Sequence, residues 1–286
     1  ASFQENNNLK QLHLQSNLIT SIPMNIFGKL PKLELFNAFS NKIASLPASS
    51  GANINDSSLK TLSLYNNLIP TIAGTFLHPL QSLETLDLHN NVITDFPTFS
   101  NSQNSLKDLY LQSNKISSLQ TGFLGNLPKL VNLWLDHNLI DTVASDTNIE
   151  EINDLQHLFL HYNKITLIPG SLFRNMKKLI TFNAYSNLIA SFPDNLEFPP
   201  DSDLQYFNIF HNNIIGGIPE DIFQNTSKLI YFQAYRNKID KYPENLGLGA
   251  GSVLNLIYLQ NNLLTYLPGK MLENHTKLEY LYLQHN

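Results

Sequence analysis

Apolar residues recur along this chain in one frame. From Leu130 the order is Leu-Val-Asn-Leu-Trp-Leu-Asp-His-Asn-Leu-Ile, with Leu at the first, fourth and sixth places, Asn at the ninth and Ile at the eleventh. The frame opens at Leu9, Leu33, Leu59, Leu83, Leu106, Leu130, Leu155, Leu179, Leu204, Leu229, Leu254 and Leu278, at intervals of 23 to 26 residues. A self-similar period of that length marks an array of stacked coils. Places three to eight predict a short strand, its fourth and sixth side chains pointing inward and its third, fifth and seventh outward. Beyond the strand comes a second apolar place (Ile22, Leu46, Ile72, Phe96, Leu119, Ile168), often followed by Pro. A Phe and a Leu or Met then mark the returning side, as in Phe27 with Leu30 and Phe173 with Met176. Runs such as Met24 to Leu30 have room only for a turn of helix or 3₁₀, and Pro, lacking an N–H, stops a longer ladder.

The expected architecture is an α/β solenoid. It is a curved, right-handed array of about twelve repeats, with a parallel concave sheet and short 3₁₀, helical or irregular turns on the convex side. One domain is expected over residues 1–286, with 1–8 the tail of a preceding repeat and 278–286 a truncated last repeat. Neither end carries the polar capping coil that repeat arrays use. The pattern therefore reads as a segment of a longer protein, whose open ends offer a route to self-assembly.

Inward positions are mostly paired leucines, such as Leu62 with Leu64 and Leu133 with Leu135. Four frames depart together, with Phe36 and Ala38, Phe182 and Ala184, Phe207 and Ile209, and Phe232 and Ala234. A large fourth residue with a small sixth conserves volume in a close-packed coil. Phe207 with Ile209 breaks that rule and predicts the tightest coil. The stretch Ile214 to Pro219 is one residue longer than its equivalents, and Gly216-Gly217 suits a local change of coil geometry. The ninth place is Asn in every frame: Asn17, Asn41, Asn67, Asn91, Asn114, Asn138, Asn163, Asn187, Asn212, Asn237, Asn262 and Asn286. An amide has donors and an acceptor on one short stem. At the corner after the strand it can pair backbone groups of its own and the next coil, so this ladder is structural.

The frame Leu-x-x-Leu-x-Leu-x-x-Asn-x-Ile-x-x-Ile-Pro-x-x-x-Phe-x-x-Leu resembles the typical leucine-rich repeats of animal extracellular proteins. Toll-like receptors, Slit-type guidance proteins, small proteoglycans and lamprey variable lymphocyte receptors share it. The Gly216-Gly217-Ile218-Pro219 turn looks more like plant-type repeats. The resemblance covers the whole chain and implies a secreted or cell-surface binding module, with a protein or glycan partner on the concave sheet.

Charge narrows the partners. Lys plus Arg number 18 against 23 Asp plus Glu, a net of −5, so the basic footprint that nucleic acid requires is missing. No apolar run reaches the ~18 residues of a membrane span. The chain has no cysteine, which excludes disulfides and thiolate metal sites within these residues. No nucleophile elbow, phosphate loop or His-Glu-x-x-His is present, and no cofactor is implied.

The outward places carry the candidate chemistry. Tyr110, Trp134, Asp136, His137, His157, Phe159, His161, Tyr185, Tyr206, Phe210 and Tyr235 form the predicted ligand surface, with Tyr231 and Arg236 beside them. Exposed aromatics give large contact area for little entropy. The frames at either side read as blander, with Gln11, Gln15, Thr61, Ser63 and Thr85. Asp136, His137 and His161 offer a divalent metal three ligands, but no spacing demands one, and a polar hydrogen-bonding patch explains them as well. Three glycosylation acceptors, Asn55, Asn225 and Asn274, each precede a frame-opening Leu by four residues, on the turn leading into the strand. Two other classes stay open at this point: an extracellular polymer assembling end to end, and a metalloprotein or enzyme using the His-rich face.

Overall fold

The computed structural model describes residues 8–50, 57–99, 105–144 and 154–286. It is a parallel β-solenoid with little helix. The chain divides into two compact units, Ala1–Ser117 with Gly122–Leu139 and Ser118–Thr121 with Ile140–Asn286. In the first unit the strands Gln11–His13, Leu35–Asn37, Thr61–Ser63, Thr85–Asp87, Asp108–Tyr110 and Asn132–Trp134 pair in parallel, each with the next. In the second, His157–Phe159, Thr181–Asn183, Tyr206–Asn208, Tyr231–Gln233, Leu256–Tyr258 and Tyr280–Tyr282 do the same. Every pair is in register, so each numbered place of the frame forms a straight column across its ladder.

A sharp turn behind each strand keeps it to three residues. The eighth place has a left-handed backbone in all twelve frames, with φ between 52° and 61° from Ser16 to His285. That conformation breaks the two-residue alternation and turns the ninth side chain inward instead of out. There the Asn amide pairs backward. Asn67 Nδ2 donates to Ala38 O of the preceding coil at 3.0 Å and to its own Leu64 O at 2.9 Å. Its Oδ1 accepts the Ile43 N–H at 2.9 Å. Asn138 and Asn212 repeat the arrangement in their own units. The partner is thus the preceding coil and not the next, because the left-handed turn aims the amide back along the stack.

The core lies between the strands and the returning turns. Phe27, Phe76 and Phe173 belong to a 3₁₀ turn (Phe27–Lys29), a short α-helix (Gly74–Leu77) and a second 3₁₀ turn (Gly170–Phe173), and all three are buried. Where the fourth place is Phe, its ring meets the returning Phe edge-on: Phe36 on Phe27 at 5.4 Å, Phe182 on Phe173 at 5.0 Å, Phe232 on Phe223 at 4.9 Å. The coil of Phe207 and Ile209 is not overfilled as its volumes predict. Both residues line a small apolar pocket with Ile168, Ile189, Phe192 and Leu196. At Gly216 the backbone is left-handed (φ 88°), and the short pairing of Ile215–Gly217 with Lys238–Lys241 shifts register between Gly216 and Gly217. A Cβ on Gly217 would lie 3.1 Å from that of Lys241, which explains the two small residues there.

Candidate functional site: the outward columns of the two ladders

In-register parallel strands lie ~4.8 Å apart, so aromatic rings at one place in successive coils have to stack. They do, chiefly at the seventh place. In the second unit His161, Tyr185, Phe210 and Tyr235 form a four-ring column, with centroids 4.5, 4.3 and 4.4 Å apart and ring planes within 21°. Phe159 lies beside it, edge-on to His161 at 6.2 Å and parallel to His157 at the same separation. Tyr206 and Tyr231 pair at the third place, 5.2 Å apart. All these rings are half-buried. Burial holds the His157 imidazole below its ordinary value and raises the Tyr235 phenol.

Tyr110 and Trp134 stack at the fifth place of the first unit, 4.3 Å apart and 12° from parallel. A column that the frame-by-frame pattern hides stands in the same unit: Phe39, Tyr65 and His89, stacked at 4.3 Å and 4.3 Å. These are seventh-place residues of frames that look bland at their third and fifth places, so the seventh column taken alone is the signal that finds them.

The first unit also carries charge. Asp87 Oδ1 lies 2.6 Å from His89 Nδ1, and Asp136 Oδ2 lies 2.9 Å from His137 Nδ1. Asp108 accepts from Asn132 Nδ2 at 2.7 Å and from Thr85 Oγ1 at 3.5 Å. Asp136 is buried and His137 exposed. Burial and then the carboxylates of Asp108 and Asp87 raise the Tyr110 phenol, and burial and then Asp87 raise that of Tyr65. Asp136 and His137 belong to the first unit, whereas His161 belongs to the second.

The glycosylation acceptors separate. Asn55 lies outside the described residues. Asn225 is exposed, as is Ser227, the hydroxyl residue of its triplet, but the Asn225 Nδ2 donates to Phe198 O at 3.0 Å. Asn126, at the same place of its own coil, donates likewise to Phe99 O. Asn274 and Thr276 are both exposed.

Family models for leucine-rich repeats match residues 8–30, 57–101, 104–165 and 203–225, together more than half of the chain. The chain belongs to the leucine-rich repeat family. Over 139 residues, 48% of its length, it is 35% identical to a probable glycoprotein hormone G-protein coupled receptor of Anthopleura elegantissima, of which those residues make up 15%. The chain therefore spans a small part of that relative. Among solved structures, the leucine-rich repeats resemble a chain of the glycosylated Toll–Spatzle complex of Drosophila, with a TM-score of 0.83 and 21% identity over 97% of this chain and 38% of that one. They also resemble a chain of the Arabidopsis receptor kinase HAESA in complex with the peptide hormone IDA and the co-receptor SERK1. There the TM-score is 0.71 and the identity 26%, over 97% of this chain and 46% of that one. No helix among the described residues is long and apolar enough to cross a membrane.

Proposed function

We propose that the chain is a receptor-type binding module working outside the cell or at its surface, without catalysis, and that it holds a protein or glycan partner on the outward faces of its ladders. The observation that carries this reading is the set of ring columns. A fold needs apolar residues at the inward places, yet here His161, Tyr185, Phe210 and Tyr235 line up on the side that faces solvent. Strand propensity explains aromatics in a sheet. It does not explain their choice for the wet side. Stacking costs them little on binding, because the rings are already ordered and present a rigid apolar wall. Support also comes from the relatives, a probable hormone receptor and the receptor kinase HAESA with its peptide hormone. Of the two described acceptors Asn274 is the better placed for a glycan, since the Asn225 amide is engaged by Phe198 O.

The test is hydrogen exchange with a partner recovered from native material. Slowed exchange is expected at the ladder strands and at the left-handed residues that end them. Protection confined to the returning turns, such as Phe27–Lys29 and Gly170–Phe173, would overturn the reading.

A further inference from the structure

The two outward faces differ in chemistry. Across the third, fifth and seventh places of the second unit there is no carboxylate and no Lys or Arg. The same places of the first unit hold Asp87, Asp108 and Asp136, again with no Lys or Arg. The nearby Lys107 is engaged by Glu84 at 2.8 Å. No Lys or Arg stands in the outward columns to balance these carboxylates, whose close partners include the imidazoles of His89 and His137, and low-dielectric aromatic walls beside them focus the field.

Resting on the reading of the outward face as a binding surface, we propose that the first unit's face takes a basic, extended protein segment, whose Lys or Arg side chains seat against Tyr110 and Trp134 and between the aspartates. Two independent properties select a cation. The stacked Tyr110–Trp134 pair offers ring faces, which attract ammonium and guanidinium groups through the ring quadrupole. The carboxylates of Asp87 and Asp108 offer acceptors. A Lys or Arg head is all donor, the complement of such a surface.

The three carboxylates do not converge on one point, so a single ion does not gather them. Each sits in a different strand and a different column, and each holds a different neighbour, His89, Asn132 or His137. Asp87 and Asp108 are one strand and two places apart, a separation of about 8 Å from strand geometry. Ligands of one ion converge far more closely. Cations on alternate residues of an extended chain recur every ~6.6 Å, which fits the wider spacing.

The experiment uses the intact protein and a hexalysine peptide, its fully acetylated form and hexaglutamate, with fluorescence as the readout. Trp134 is the only tryptophan in the chain, so the signal comes from the patch itself. Hexalysine should perturb the emission saturably and bind more weakly as salt rises, while the other two peptides leave it unchanged. Combining Asp87→Asn with Asp108→Asn should weaken hexalysine at least fivefold. Asp87→Glu, which keeps the charge, should bind like the wild type, and circular dichroism checks that each variant is folded. The proposal is overturned if acetylated peptide binds equally, if the double variant binds as well as the wild type, or if hexalysine leaves the emission unchanged at low salt. The broader reading is scored separately with native partner: a loss on Trp134→Ala alongside a failed hexalysine series would sink the charge preference and leave the binding face standing.

Discussion

The two ladders share an inward face and differ in their outward ones. Inward, the first unit's Asn67 and Asn138 and the second unit's Asn212 make the same set of backbone hydrogen bonds, around buried Leu, Ile and Phe. Outward, the first unit sets Asp87, Asp108 and Asp136 among two shorter ring columns. The second presents one four-ring column, with the amides of Asn183, Asn208 and Gln233 at its fifth place. Coil geometry is therefore dictated by places one, four, six and nine. The outward places are released from that duty, and their differences are differences of chemistry.

If the scaffold is common to both units, its largest perturbation should cost the same in each. Asn138→Leu and Asn212→Leu each strand several backbone groups, and each should lose ~1–3 kcal/mol or more in chemical denaturation. A loss in one unit alone would break the shared-scaffold half of the comparison. The ring columns come next. Tyr65 stands between Phe39 and His89, and Tyr185 between His161 and Phe210, so Leu at either place should cost about 1 kcal/mol from lost ring pairing. A neutral result at Tyr65 would mean that the shorter column is only a crowding effect.

Acid sharpens the contrast. His275 takes a place that is Leu in the coils of Leu30, Leu80 and Leu127, it is buried, and its Nδ1 has no partner. Burial lowers its imidazole, as it does that of His157, also in the second unit. A lowered imidazole favours the neutral side chain in the fold. That stability is complete above the ordinary His range and is lost as pH falls through the lowered value. The second unit should therefore weaken on acidification from about pH 7 to 5, and His275→Leu should reduce the effect when thermal unfolding is followed at both pH values.

The smallest effect concerns the left-handed eighth place. In the first unit it is held by Ser16, Ser40, Asn66, Asn90, Ser113 and His137, most of them short polar residues; in the second it includes Tyr162 and Arg236. Asn tolerates this conformation better than longer side chains. Arg236→Asn should add roughly 0.5 kcal/mol to the stability measured in urea, and Ser113→Asn next to nothing.

Most of the fold was legible from the leucine and asparagine frame, because a residue that must be buried in every coil leaves a period. The Asn ladder, the register and the turns around Phe27 and Phe173 all came from it. The direction of the ladder did not, since it depends on a left-handed turn at a place occupied by Ser, Asn, His, Tyr and Arg alike. Nor did the pairing of Asn225 with Phe198 O, because a glycosylation triplet and a backbone-pairing amide look identical in sequence. The outward face was only partly readable. Tyr185 and Phe210 stood out, whereas Phe39 and Tyr65 were masked by bland neighbours at other places of their own frames. A column is a property of successive coils at one place, and a scan along one frame at a time divides it.

The central claim is that partners are read by the outward places while the returning side only supports them. Its most direct test is the affinity of a partner from native material for the wild type, Trp134→Ala, Tyr185→Ala and Lys29→Ala, measured side by side by calorimetry. Stacked central aromatics act as hot spots, with truncation costs of ~2 kcal/mol or more. At least one of the two aromatic variants should therefore lose tenfold or more in affinity, while Lys29→Ala, on the 3₁₀ turn, binds as the wild type does. Equal affinities for all four proteins would contradict the account and place the binding site elsewhere.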